Sequence, residues 1–150
     1  MLQQSAEANH ITDIIKVMNS GIQFYQKAKE KVDSQPYQSF FNRMIDAKAE
    51  AVFELQQFAV EEKGDLENGT DVIVKAREAY TEVVDKMTSN STEFTYVDQL
   101  EEVEDRLLEE VDQALSKEQS LECEAALVRV QKRMKECHDE MRALQNGIVH

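Results

Sequence analysis

"GDLENGTDVIVKAREAYTEVVDKMTSNST", residues 64–92, lies between two long helical stretches and decides how they are connected. Gly64 is a stop signal for the helix before it, and the Asp, Asn, Gly and Thr residues that follow favour a loop. From about Thr70 the pattern changes. Ile73, Ala76, Tyr80, Val83/Val84 and Met87 recur at three- and four-residue steps, the period of an amphipathic helix. Residues 88–92 then end it in helix-breaking and capping side chains. A helix of some 20 residues covers roughly 30 Å at about 1.5 Å per residue. The segment is thus a crossover, carrying the chain from one end of a bundle to the other and making the helices on either side of it parallel.

Working outward, four Gly, one Pro and no Trp in 150 residues leave few chain reversals. Strands have little support, because β-branched runs are short and never alternate cleanly. The spacing predicts helices at about 9–33, 35–63, 70–88, 95–116 and 118–146, all in one domain spanning 1–150. The first carries Ile11, Ile14/Ile15, Met18, Gly21/Ile22, Tyr25, Ala28 and Val32 on one face. The second follows "DSQPY", where Ser34 can cap and Pro36 suits the first turn, and its stripe is Phe41, Met44, Lys48, Ala51, Leu55, Phe58. The fourth sets Val97, Leu100, Glu104, Leu107, Val111 and Ala114 against Asp98, Glu102, Asp105, Glu109 and Asp112. An offset of two residues is about 200° of rotation, so the acidic stripe is expected to point straight away from the core. The fifth has a heptad seam, Cys123, Leu127, Val130, Met134, Cys137, Met141, Leu144, closed by Asn146-Gly147. Short links make antiparallel hairpins of helices one and two and of helices four and five. The fold class is therefore all-α: a ferritin-like four-helix bundle of two antiparallel hairpins joined by a long crossover containing an additional helix.

Charge is uneven. Lys+Arg against Asp+Glu is 7 to 9 over residues 1–63, 4 to 15 over 64–116 and 6 to 6 over 117–150, so nearly all of the net charge of −13 lies in the middle segment. Such a surface repels phosphate backbones, and no nucleic-acid partner is expected. The opening "MLQQSAEANH" lacks the basic end and apolar stretch of a signal peptide, and no apolar run reaches membrane-spanning length, so no membrane association and a cytoplasmic location are expected.

"SGIQFYQKAKEKV" in helix one, "FFNRMIDAKAEAVFELQQF" in helix two, "LEEVEDRLLEEVDQAL" in helix four and "CHDEMRAL" in helix five together resemble successive blocks of an uncharacterised bacterial ferritin-like family, known as a four-helix-bundle domain of unknown function. The resemblance covers roughly residues 10 to 145. Its most particular matches are the Phe-rich start of helix two with Glu54-Leu55 after it, and His138 followed by Asp139 and Arg142. The family carries no activity with it.

What the wider ferritin-like superfamily implies is a di-metal site, built from one Glu on each of two helices and a Glu-x-x-His on each of the other two. This chain departs from it at every helix. Glu50 and Glu54 are followed three residues later by Phe53 and Gln57, and His138 is preceded three residues earlier by Lys135. The helix-one position reads Ile22 and the helix-four position Leu107, and the only Glu-x-x-His is Glu7 to His10 near the start of the chain. An active di-iron oxidase or iron store is disfavoured, and no cofactor is expected. The alternative is an unconventional site for iron or another divalent metal, with Glu54, Glu104 and His138 as candidate ligands.

The same residues have plainer explanations. Lys48 and Glu104 can form a partly buried ion pair, or cover apolar surface with their stems while their heads reach water. His138 flanks the seam residue Cys137 and is expected to be a structural boundary residue. Cys123 and Cys137 lie roughly 21 Å apart along one helix, too far for a disulfide, and are expected to be buried and reduced. Tyr25 and Tyr80 are expected at the core edge. The acidic stripe is most simply a solvated face, although it could collect divalent cations loosely or dock a basic partner. With no catalytic residues assigned, the expected function is a non-enzymatic interaction or scaffold module with an unknown protein partner, or a homodimer using an apolar flank of helix three or five.

Overall fold

The computed structural model describes residues 2–88 and 91–149, with side chains for 10–88 and 91–147. It contains five helices in chain order, α1 Leu2–Lys31, α2 Gln35–Lys63, α3 Val72–Met87, α4 Thr92–Leu115 and α5 Leu121–Val149, with no strand among the described residues. Helix ends follow local chemistry. Gly64 takes a left-handed φ of 83°, and its N–H donates to the Val60 carbonyl at 2.8 Å, ending α2 as expected. Gly147 stays helical, so α5 runs through the stop anticipated at Asn146-Gly147; a glycine ends a helix only where it adopts the left-handed conformation. α1 also begins earlier than expected, at Leu2. Ser34 occupies the N-cap of α2, but its side chain caps nothing, and Gln38 donates instead to the Val32 carbonyl at 2.9 Å. Ser91 caps α4 through the Phe94 N–H, and Ser120 accepts from the Cys123 N–H at the start of α5. Of the capping stretch 88–92, Ser89 and Asn90 lie outside the described residues.

α1 packs on α2, α4 on α5, α1 on α4 and α2 on α5, while α3 lies against α4 and α1. Pairings along the helices give their directions. Asp98 meets Gln145, Asp105 meets His138 and Asp112 meets Gln131, so α4 and α5 are antiparallel. Arg43 meets Glu140 and Glu54 meets Arg129, so α2 and α5 are antiparallel too. One apolar core runs between these four helices, through Ile14, Ile15, Met18, Phe41, Met44, Leu55, Leu100, Leu107, Leu127, Met134 and Met141. The stripes anticipated on α2, α4 and α5 are the buried ones, apart from Leu144, which is partly exposed. Among the described residues, no helix is long and apolar enough to cross a membrane.

α3 departs from expectation. Its inward residues are Val74, Glu78 and Thr81, whereas the anticipated stripe faces out: Ile73 is 55 %, Tyr80 59 %, Val83 54 % and Met87 79 % exposed, as is neighbouring Val72 at 82 %. Tyr80 is therefore a surface residue, while Tyr25 is fully buried rather than at the core edge. The cause lies at the start of the helix. Asp71 caps α3 by accepting from the Val74 N–H at 3.0 Å. Arg106 of α4 holds the same carboxylate through two hydrogen bonds at 3.0 and 2.9 Å, and the Asp71 N–H donates to Ser20 of α1 at 2.6 Å. These bonds set the rotation of α3, and Arg77–Gln99, Lys75–Gln23 and Lys27–Glu82 continue the polar attachment along it.

Candidate functional site

Glu104 of α4 and Lys48 of α2 meet across the bundle centre. Both side chains are fully buried, with Lys48 Nζ 2.6 Å from Glu104 Oε2. The Tyr25 hydroxyl of α1 donates to the same oxygen at 2.5 Å, and the ammonium lies 5.0 Å from the centre of the Tyr25 ring. Lys48 Nζ makes no well-aligned hydrogen bond, and Glu104 Oε1 has no partner among the described residues. The contact is thus an ion pair reinforced by one phenol. Burial raises the Tyr25 hydroxyl well above its usual range, and the Glu104 charge adds to this. The pair is more deeply buried than a partly solvated bridge, and its parallel helices are diagonal partners. One carboxylate already neutralised by an ammonium does not fit a di-metal centre, which needs several carboxylates facing two cations.

The three anticipated metal-ligand candidates go to three different places. Glu104 is in the centre; Glu54 sits on the α2–α5 flank, where both Arg129 Nε, at 2.7 Å, and Arg129 Nη2 donate to it; His138 is on the α4–α5 flank. The Glu7 side chain of the Glu-x-x-His pair lies outside the described residues.

What the fold does bring together is Glu101, Asp105 and His138, whose ligand atoms all lie within 4.8 Å of one another. His138 Nε2 is 2.6 Å from Asp105 Oδ1 and 3.5 Å from Glu101 Oε2, and Arg142 donates to Glu101 at 2.8 Å. Glu101 and Asp105 are one turn apart on α4, so both reach the same point on α5. Two oxygens and one imidazole nitrogen are a donor set for one divalent cation with open positions. They equally form a closed polar contact, since Asp105 and Arg142 already satisfy His138 and Glu101. Asp105 belongs to the stripe expected to face away from the core. In the structure Asp98, Asp105 and Asp112, seven residues apart, instead bond Gln145, His138 and Gln131, leaving Glu102 and Glu109 fully outward. Glu101 escaped the sequence reading because it lies off both stripes; the signal that could have found it is its one-turn spacing from Asp105 on the flank facing His138.

The two cysteines are free and buried. Burial pushes the Cys123 thiol up to about 11, and burial likewise raises Cys137, so neither is an activated nucleophile. The remaining feature is the outer face of α3, where half of the chain's exposed large hydrophobic side chains among the described residues fall on one 16-residue helix. Its inner face sets Val74 beside the polar Glu78 and Thr81. Tyr96 lies beneath it with its hydroxyl unpartnered among the described residues, pushed up to about 12 by burial and then by Asp85, Glu82 and Glu78.

Among known families, the one described as a domain of unknown function (DUF2383) matches residues 6–117, which takes in α1 to α4 and stops short of α5. No curated protein and no solved structure matches the chain.

Proposed function

We propose, from the premise that the chain belongs to the DUF2383 family of domains of unknown function, that it acts as a non-enzymatic interaction module. In this reading a ferritin-like bundle serves as a rigid mount, and α3 is the element presented to a protein partner. The observation that carries the proposal is the inversion of α3: its apolar row faces solvent while Val74, Glu78 and Thr81 face inward. A helix attached to its own domain by polar contacts and offering Ile73, Tyr80, Val83 and Met87 outward has the face that partner helices use, and exposed patches of this size mark interaction sites. The ferritin-like arrangement is supported by the antiparallel α4–α5 and α2–α5 pairs and by α3 standing between the two hairpins. The Lys48–Glu104–Tyr25 cluster supports the absence of chemistry at the bundle centre, because it fills the space where a substrate would sit. The charge of −13 supports a protein rather than a nucleic-acid partner, and two buried unpaired thiols support a reducing compartment such as the cytoplasm.

The test is a photo-crosslinking amino acid placed at Tyr80 of the full chain in cells, with Lys132 on the exposed face of α5 as the control. Discrete protein adducts from position 80 and none from position 132 are expected. An absence of adducts from position 80, or the same pattern from both, overturns the proposal.

A second reading, favoured by the Glu101–Asp105–His138 grouping, is a divalent-metal protein with its site on the α4–α5 flank. Arg142 would have to release Glu101, so affinity would be limited. Calorimetric titration with zinc, manganese and ferrous iron decides it. Stoichiometric binding abolished by His138→Ala supports this reading, and heats no larger than those of the variant remove it.

A further inference from the structure

We infer that the partner seated on α3 is a second copy of this chain, paired along Ile73, Ala76, Tyr80, Val83 and Met87; this rests on the reading of α3 as a docking face. Period gives the first reason. Steps of three, four, three and four residues form a heptad seam, which is matched by a helix carrying the same seam. The other seams of this spacing, on α2, α4 and α5, are consumed by the core, so the outer row of α3 is the one that each copy has available. At 100° per residue, the exposed row is turned about 200° from the buried row of Val74, Glu78 and Thr81. A second copy can therefore seat on it without disturbing the attachment of α3 to α1 and α4.

Area gives the second reason. From their fractional exposures, Val72, Ile73, Tyr80, Val83 and Met87 offer at most on the order of 600 Å² per copy, so a two-fold pairing has up to about 1,200 Å² to bury, against the ~1,000 Å² a specific interface needs. Charge gives the third. The residues flanking the row are Arg77 and Val84 on one side and Val72, Ala79 and Lys86 on the other, with no carboxylate among them. The acids of α3, Glu78, Glu82 and Asp85, occupy the opposite half of the helix, of which Glu78 is buried. The acids of α3 itself are thus kept off the seam, while Glu102, Asp105 and Glu109 of α4 line the groove beside Ile73 and each copy carries a net charge of −13. The association is accordingly apolar at the seam and repulsive at long range, so added salt strengthens it.

Sedimentation velocity on the purified full chain tests this, at low micromolar and at several hundred micromolar loading, in low and in high salt. The expected result is a monomer–dimer equilibrium that tightens with salt. Tyr80→Glu and Val83→Glu should each weaken it by at least about tenfold, as a charge placed in a small apolar interface does. Because both side chains are more than half exposed, their melting temperatures should equal the wild-type value at a loading where wild type is monomeric, which separates a lost interface from a lost fold. A wild type that remains monomeric at every loading overturns the inference, as does a dimer indifferent to both substitutions. Crosslinking from position 80 then distinguishes the two failures. A monomeric chain giving adducts with a different protein loses the second copy but keeps the docking face; a monomeric chain giving none loses both.

Discussion

Replacing Lys48 by methionine probes the bundle centre most directly. The substitution keeps the length of the stem and removes the ammonium that sits 2.6 Å from Glu104 Oε2. Glu104 is left with the Tyr25 hydroxyl on one oxygen and no partner on the other among the described residues. Both members of the pair have zero exposure, so no water is at hand to replace the lost contact. Breaking such a pair from one side costs about 3–5 kcal/mol. In a domain of this size about 1 kcal/mol moves the melting temperature by roughly 2–4 °C, so a fall of roughly 10 °C or more is expected. With a urea slope of about 2 kcal/mol/M, the midpoint should drop by roughly 2 M. The double variant Lys48→Met/Glu104→Leu removes both charges together and should recover most of the loss, because an apolar pair of similar volume is often as stable as the ion pair it replaces. Urea denaturation followed by circular dichroism at 222 nm, run as a double-mutant cycle, gives the coupling directly. A single-variant loss below about 1 kcal/mol, or a double variant whose loss equals the sum of the two singles, would show that the two groups are not a desolvated pair and would refute the closed centre.

Two further outcomes test the frame around it. Arg106→Ala removes both bonds to the Asp71 cap and should cost about 1–3 kcal/mol; hydrogen exchange should speed up in residues 72–87 while α2 and α5 stay protected, and a uniform rise across all helices would contradict the anchoring role of Asp71. Glu62 is pushed up from 4.5 to about 8 chiefly by burial, with a backbone hydrogen bond at Thr12 opposing the shift and Asp13 and Glu61 adding to it. The folded chain therefore holds this proton over a range where the unfolded chain has released it. Its contribution is fully present below pH 4.5 and is lost as pH rises through 8. Glu62→Gln should thus be more stable than wild type at high pH, by about 1 kcal/mol once screening of this partly exposed group is allowed for, with the gap closing toward pH 5. Paired urea curves at the two pH values measure it, and an equal gap at both would contradict the protonated carboxyl.

Hydrophobic period locates a face, and where a helix has one such face and the core needs it, the face is the core. That is why Phe41, Met44, Leu55, Leu107, Val111, Leu127 and Met134 could be placed from the sequence and are buried. α3 has the same period and the opposite orientation. Nothing in the spacing of Ile73, Tyr80, Val83 and Met87 records which way they turn; the decision is made by Asp71, whose partners Ser20 and Arg106 lie 51 and 35 residues away. The Glu101–Asp105–His138 grouping was out of reach for a related reason. His138 drew notice as a singular residue on a seam flank, but its partners depend on the register between α4 and α5, which the Asp98–Gln145 and Asp112–Gln131 contacts share and which no single helix reveals. Lys48 and Glu104 were legible as core-face interruptions of opposite charge, but the sequence left open whether they pair or snorkel, and the burial of both heads decides for the pair.

The closed centre and the inverted helix belong together. α1, α2, α4 and α5 already enclose an apolar core completed in the middle by a neutralised pair, so their stability does not depend on burying the apolar row of α3. α3 is held by Val74 in the core and by the polar contacts of Asp71, Arg77, Lys75 and Glu82, and such polar contacts contribute little each in partly solvated positions. A domain that needed α3 for its own core would have turned Ile73, Tyr80, Val83 and Met87 inward, gaining roughly 1.5–3 kcal/mol for each large apolar side chain buried. Keeping these side chains outside, with Glu78 buried on the opposite face, forgoes that gain in the isolated chain, and an apolar surface laid over them would recover it.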